Sequence, residues 1–210
     1  MIRVLIADDH AVLRLGLIEI LTRELKDVVC GEAENAAQVV AQVQDHNWDL
    51  VILDLTMPGR SGLDSLAELK RMRPKLPVLV LSMHPEEQYG KRVLQAGASG
   101  YINKDSAPED LTKAIRKVLA GGRYVSPALA EKLALEVTEG SAGLPHEKLS
   151  HREFEVLRMI GLGKSVTQIA EELHLSGTTI STYRLRILEK MGMTSNADLM
   201  RYAIVNHLVD

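Results

Sequence analysis

"VILDLTMPGRSGLD" (residues 51–64) opens as a buried strand and closes on a carboxylate followed by a turn. Val51, Ile52 and Leu53 form the short apolar run expected of a parallel strand covered on both faces. Asp54 places a charge where burial ends, and Thr56-Met57-Pro58-Gly59 then directs the chain into a loop. A carboxylate at the mouth of a sheet points to a site there, and the rest of the chain supplies its surroundings.

Strand and helix patterns alternate on both sides of this stretch. Strands are expected at Ile2–Ala7, Val28–Ala33, Leu50–Leu53, 78–81 and 100–102. Helical periodicity fills 11–25, 36–46, 62–72, 86–97 and 107–120, with Leu13, Leu17, Ile20 and Leu21 marking one face of the first helix. Five successive βα units imply a doubly wound parallel sheet with right-handed crossovers. Gly121-Gly122 ends this region. A short helix over 127–137 follows, and "TEGSAGLPHEK" (138–148) has the Gly, Ser and Pro content of a linker. Beyond Leu149 only helical periodicity remains. The expected division is an α/β domain at 1–121, a linker with a short helix at 122–148, and an all-α domain at 149–210.

Bulk properties narrow the function classes. The 210 residues carry a net charge of −3, too mild to argue for a polyanion partner. Residues 148–210 hold a balance of +1 against −4 for the remainder, the sign expected of a nucleic-acid module but a small asymmetry. Cys30 is the only cysteine, which excludes a disulfide framework. The apolar run after Met1 stops at Asp8-Asp9, too short for a secretory core, and no stretch is long enough to span a bilayer. A cytoplasmic protein without membrane association is expected.

Ligands of open parallel sheets bind beyond the carboxyl ends of the strands. The first strand ends in Asp8-Asp9, the third in Asp54 and the fourth in Ser82, and Lys104 follows the fifth. Three carboxylates at one edge repel one another, which raises a pKa or requires a cation, and Mg²⁺ suits a shallow oxygen site. Lys104 supplies the compact charge used to hold phosphate. The set reads as phosphoryl transfer onto Asp54, with Mg²⁺ and Lys104 offsetting the charge. Taken singly, each residue has a plainer role: helix cap, turn, surface charge, or core aromatic for Tyr101.

"IADDH" (6–10), "LDLTMPGRSGLD" (53–64), "VLS" (80–82) and "GYINKD" (100–105) together resemble the receiver domain of two-component response regulators. That resemblance implies a five-stranded, flavodoxin-like receiver with Asp54 as phosphoacceptor. It makes Asp8 and Asp9 the metal-holding pair, with the Thr56 carbonyl a further ligand. It also gives Ser82 the incoming phosphoryl group, Lys104 its charge partner role and Tyr101 that of an aromatic switch, with Pro58 and Gly62 matching the family's loop. His10, His84 and Cys30 are read as packing or surface residues.

In the helical region Ser150 and Glu153 form a capping box, and Phe154, Leu157 and Ile160-Gly161 supply an apolar stripe. A second helix over 166–173 and a third from Gly177–Met191 are joined by a tight turn. With Arg184, Arg186 and Lys190 on the third, these suit a helix-turn-helix, although core packing alone explains the apolar residues equally. "LSHREFEVLRMIGLGKS", "IAEELHLSGTTIS" and "ILEKMGM" resemble the LuxR-type helix-turn-helix that follows a receiver in regulators of the NarL/FixJ class. The resemblance implies base contacts from Ser181, Thr182 and Leu185, phosphate contacts from Arg184, Arg186, Lys190 and Lys164, and dimerisation through a helix over Asn196–Val205. Ser181 and Tyr183 stand where the family often has Lys and His, which implies a shallower salt dependence.

The expected function is a phosphorylation-controlled transcription regulator, with a sensor histidine kinase as donor, double-stranded DNA as target and a homodimer as active form. A small phosphotransfer or phosphatase enzyme is the alternative. It would need an acid two positions after Asp54, where Thr56 stands. A phosphorylation-independent scaffold is disfavoured by the intact acidic set.

Overall fold

The computed structural model describes residues 1–57, 61–106, 108–139 and 144–209. Two compact units divide at 139/140. The first is a five-stranded parallel sheet: β1 (Ile2–Ala7), β2 (Val28–Ala33), β3 (Leu50–Leu53), β4 (Val78–Ser82) and β5 (Gly100–Asn103). Their order is β2-β1-β3-β4-β5. Between them run α1 (Ala11–Glu24), α2 (Ala36–Asp45), α3 (Gly62–Met72) and α4 (Glu86–Gln95), and α5 (Pro108–Leu119) follows the last strand. All five expected strands form, and the last two each run one residue further because Ser82 pairs with Asn103 in the ladder.

The apolar runs are continuous because both sheet faces are covered. Every residue of β3 and β4 is buried, and Val4, Ile6, Leu50, Ile52, Leu79 and Leu81 share a core with Leu17, Leu21 and Ile115 from the helices. Along α1 the buried stripe is Arg14, Leu17 and Leu21, whereas Leu13 and Ile20 are only half-buried. The periodicity was right, but an arginine occupies the end of the stripe that overhangs the sheet edge.

The helix expected within the linker forms as α6 (Pro127–Glu139) and belongs to the first compact unit. It packs on α4. Leu129 is buried, and the Lys132 ammonium donates to the Glu87 carbonyl at 3.1 Å. The compact unit therefore runs from Met1 to Glu139, because α4 offers α6 an apolar seat and a carbonyl. Pro58 and the middle of the expected linker (140–143) lie outside the described residues.

The second unit contains α7 (His151–Gly161), α8 (Val166–Glu172), α9 (Gly177–Met191) and α10 (Asn196–Val205), preceded by a 3-10 turn at Pro145–Lys148. Serines start all four helices. Ser150, Ser165 and Ser195 complete capping boxes with Glu153, Gln168 and Asp198, and Ser176 accepts from the Thr179 amide. Gly192 ends α9 in the left-handed conformation, φ 64°, where a side chain is strained. Phe154, Leu157, Ile160, Ile169, Ile180, Ile187 and Leu199 make the core. Among the described residues, no helix is long and apolar enough to cross a membrane.

Candidate functional site

Register carries the acidic residues to one edge. Ala7 pairs with Leu53, so the residues that follow, Asp8 and Asp54, leave their strands side by side. Ladder bonds continue past the strand ends: Asp8 N to Ala33 O (3.0 Å), Asp54 N to Ala7 O (2.8 Å) and Lys104 N to Ser82 O (2.9 Å). Asp8, Asp54, Ser82 and Lys104 thus arrive together on backbone that the sheet itself holds rigid.

Asp8 and Asp54 are each 1% exposed. The Lys104 ammonium lies between them, 2.7 Å from Asp8 Oδ2 and 2.8 Å from Asp54 Oδ2. The Thr56 amide donates to Asp54 Oδ1 at 3.1 Å. Burial pushes the Asp54 carboxyl above the usual carboxylate range, although Lys104 and the Thr56 amide pull the other way. For Lys104, burial opposes the ammonium, but the hydrogen bonds to Asp54 and Asp8 outweigh it and the net shift is upward.

Asp9 joins the cluster from the surface, and so does His10. The His10 Nδ1 lies 2.8 Å from Asp9 Oδ1 and 3.1 Å from Asp8 Oδ1. Ligand atoms of Asp8, Asp9, His10 and Asp54 all fall within 4.8 Å of one another. Three carboxylates around one position form an oxygen-rich set that fits a hard divalent cation. Asp8 Oδ2 is buried against the Lys104 ammonium.

Past Asp54, Leu55 and Gly62 lie against each other. The Gly62 amide donates to the Leu55 carbonyl at 3.1 Å, and a Cβ at 62 would stand 2.3 Å from Leu55 Cα. Only glycine allows that backbone approach. Ser82 is fully buried, and its hydroxyl accepts from the His84 amide at 3.3 Å. Tyr101 is 1% exposed, and its hydroxyl donates to the His84 carbonyl at 2.5 Å. Burial holds the phenol well above its ordinary pKa. The His84 ring stacks on Tyr89 at 4.4 Å and lies 3.3 Å from the Thr56 hydroxyl.

Three further residues meet the groups at this edge. His10 is at the surface and His84 packs on Tyr89, as expected, and each also meets the site: His10 adjoins the acidic pair, and His84 joins Thr56, Ser82 and Tyr101. Arg14 was not singled out at all, and it donates to the Asp8 carbonyl at 2.8 Å from a buried position. Its signal was a charge on the buried stripe of α1, three residues before Leu17.

In the second unit, α8 and α9 meet through a short turn, and α9 also packs on α7. Ile180, Ile187 and Met191 of α9 face inward as expected. Thr182, Leu185 and Arg186 are exposed, Leu185 by 60%, while Ser181 and Arg184 are half-buried. The basic residues fall into two groups. Lys190 pairs with buried Glu153 at 2.6 Å, and Lys164 pairs with Glu172 at 2.5 Å. Arg184 makes a long bond to Asn196, 3.4 Å. Arg186 has no ion-pair or hydrogen-bond partner among the described residues.

Comparison with known proteins gives both halves relatives. Residues 4–116 match the response regulator receiver domain, and residues 147–203 match the luxR family of bacterial regulatory proteins. Response regulator GacA of Pseudomonas aeruginosa is 37% identical over all of this chain and 99% of its own length. Response regulator UvrY of Escherichia coli is 34% identical, covering 97% of this chain and 94% of its own. Among solved structures, RcsB of Salmonella enterica serovar Typhimurium, bound to promoter rprA in the presence of phosphomimetic BeF3−, is similar at a TM-score of 0.66 and 30% identity. That match covers 96% of this chain and 97% of RcsB. A structure of two RcsB dimers bound to two parallel DNAs matches at a TM-score of 0.60 and 29% identity, over 96% and 97% of the two chains.

Proposed function

Because this chain belongs to the response regulators that join a receiver to a luxR-family domain, we propose that phosphorylation of Asp54 controls its binding to DNA. The family comprises regulators, not enzymes with an outside substrate, so the chemistry is confined to the chain's own carboxylate. One observation carries the reading: the Lys104 ammonium bridges two buried aspartates at the mouth of the sheet. Burying such groups is costly, and a purely structural role would be served as well by apolar residues.

Asp54 acts as nucleophile. A carboxylate oxygen attacks phosphorus, the bond from phosphorus to the donor's leaving group breaks, and an acyl phosphate results. The donor is a sensor histidine kinase. Asp8, Asp9, Asp54 and the Thr56 carbonyl would hold Mg²⁺, which when bound offsets charge on the transferred group. Lys104 transfers one of its two ion pairs to a phosphoryl oxygen. Its flexible stem allows this without moving backbone.

The acyl phosphate adds negative charge and acceptor oxygens beside Ser82. The Ser82 hydroxyl turns toward them and releases the His84 amide that it now accepts from. Tyr101 grips the same loop through the His84 carbonyl. Serine, tyrosine and loop therefore form the two-state element, which alters the face carrying α4.

In the helical unit α9 enters the major groove. Thr182, Leu185 and Ser181 meet base edges, where Leu185 is limited to a thymine methyl. Arg186 and Arg184 contact phosphates, with Lys164 and Lys190 contributing only as far as their glutamate partners release them. A homodimer through α10 supplies two half-sites. The protein works in the cytoplasm, where kinase and DNA are both accessible.

The test is incubation of the full chain with acetyl phosphate and Mg²⁺, followed by intact-mass measurement and DNA binding. Wild type gains one phosphoryl group and binds DNA more tightly, and Asp54→Asn does neither. A mass gain that survives in Asp54→Asn would overturn the assignment.

A further inference from the structure

The first turn of α1 holds a buried cation that the mechanism above leaves unused. Arg14 is 5% exposed, and its guanidinium reaches three separate segments. Nε donates to Glu32 Oε2 in β2 at 2.7 Å, and Nη2 to Glu34 Oε1 just beyond that strand at 2.7 Å. Nη1 donates to the backbone carbonyl of Asp8 at 2.8 Å.

We propose that Arg14 is a positioning residue for the divalent-cation site: it fixes the peptide that joins Asp8 to Asp9 and so aims both carboxylates. The inference rests on the phosphoacceptor reading of Asp54. The Asp8 carbonyl lies in the planar unit that runs from Asp8 Cα to Asp9 Cα. One strong bond to that oxygen removes the peptide rotation that would swing the two side chains apart. Two other bonds secure the same residue, Asp8 N to Ala33 O at 3.0 Å and His10 N to Asp8 Oδ1 at 2.8 Å.

Glu32 and Glu34 keep the guanidinium in its place. A mobile arginine would pair with Asp8 or Asp9 directly, since a guanidinium and a carboxylate match as a fork, and would compete with the cation. Here the fork faces the other way, held by two glutamates, and only one N–H reaches the loop, on a neutral carbonyl. One positive charge against two negative ones leaves this neighbourhood net negative, so the loop still attracts a cation. Lysine cannot substitute, because a single ammonium does not span β2, the turn after it and Asp8 with a fixed geometry.

A mere staple between α1 and β2 would alter stability and nothing else. The discriminating measurement is Mg²⁺ binding to the full chain by calorimetry and by the Mg²⁺-induced rise in Tm. Phosphorylation rate by acetyl phosphate against Mg²⁺ concentration accompanies it. In Arg14→Lys the Mg²⁺ dissociation constant should weaken about 10-fold, the range seen when groups supporting metal ligands are lost, while the rate at saturating Mg²⁺ holds within about twofold. Glu34→Gln should show the same pattern to a smaller degree; Glu34 is exposed, so this variant folds and decides the matter should Arg14→Lys not. Unchanged Mg²⁺ affinity in the folded variants, with only a lower Tm, overturns the proposal. If wild type binds Mg²⁺ but Asp54 takes no phosphoryl group, the phosphoacceptor reading fails and the Mg²⁺ titrations still judge Arg14. Absence of Mg²⁺ binding by wild type overturns both.

Discussion

Lys104 stands 2.8 Å from Asp54, with both side chains almost wholly withdrawn from water, and Asp8 holds the other side of the same ammonium. One cation therefore balances two buried carboxylates. Replacing it with methionine leaves like charges facing each other without compensation. Lys104→Met should lose about 3 kcal/mol of stability in Mg²⁺-free buffer at neutral pH, the scale of breaking a buried pair. Added Mg²⁺ should recover more of the loss than it adds to wild type. Urea unfolding with and without Mg²⁺ checks this, and equal Mg²⁺ gains in the two proteins would refute it.

Asp54 itself is expected to cost stability while ionised. Its folded-state pKa lies above the ordinary value because of burial, with Lys104 and the Thr56 amide opposing. For a carboxyl shifted upward, the cost is absent below the unfolded value, near 3.9, and develops as pH rises through the folded value. Asp54→Asn should therefore be more stable than wild type at pH 7 without Mg²⁺, and the difference should shrink toward about pH 4. Denaturant midpoints across that interval read the slope.

Glu153 behaves in the opposite sense. Burial favours its protonated form, but the hydrogen bonds from Lys190 and Ser150 outweigh that and hold its pKa below the usual range. Its contribution is present above the unfolded value, near 4.3, and is lost as pH falls through the folded one. Glu153→Gln should remove that acid-labile part of the helical unit's stability. Lys190→Ala should cost about 1 kcal/mol at pH 7, since the lysine is partly exposed and solvent screens the pair.

The two basic groups on α9 can be separated by salt. Among the described residues Arg186 has no partner to release before contacting a phosphate, whereas Lys190 must leave Glu153. Arg186→Ala should weaken DNA binding and lower the slope of log affinity against log salt by about one, with unfolding unchanged. Lys190→Ala should show the reverse balance: a stability loss with a smaller change in salt slope. Titrations at several salt concentrations, beside thermal melts, distinguish them.

Most of the fold was legible from local pattern. Apolar runs of four to six residues separated by helical periodicity specify a parallel sheet, and a polar residue closing each run specifies which edge carries the site. The four helix starts in the second unit were equally local, since each serine finds its partner three residues on. Register then follows, because a one-residue slip would turn a buried strand's final carboxylate into the core.

What short-range pattern does not encode is which distant groups share a charge. Arg14 and its glutamates are 18 and 20 residues apart, Lys190 and Glu153 are 37, and Thr56 and His84 are 28. His84 looked idle because Thr56 and Tyr101 reach it across loops, whereas His10 meets its own sequence neighbours Asp8 and Asp9. The seat of α6 on α4 depends likewise on a face that exists only once the sheet is wound. The chain alone determined the elements, the edge and the residue types gathered there, since those depend on burial and periodicity along a few turns. Only the tertiary structure decided which cations are committed and which stay free, because ion pairing falls off over a few ångströms and the distances are set by packing.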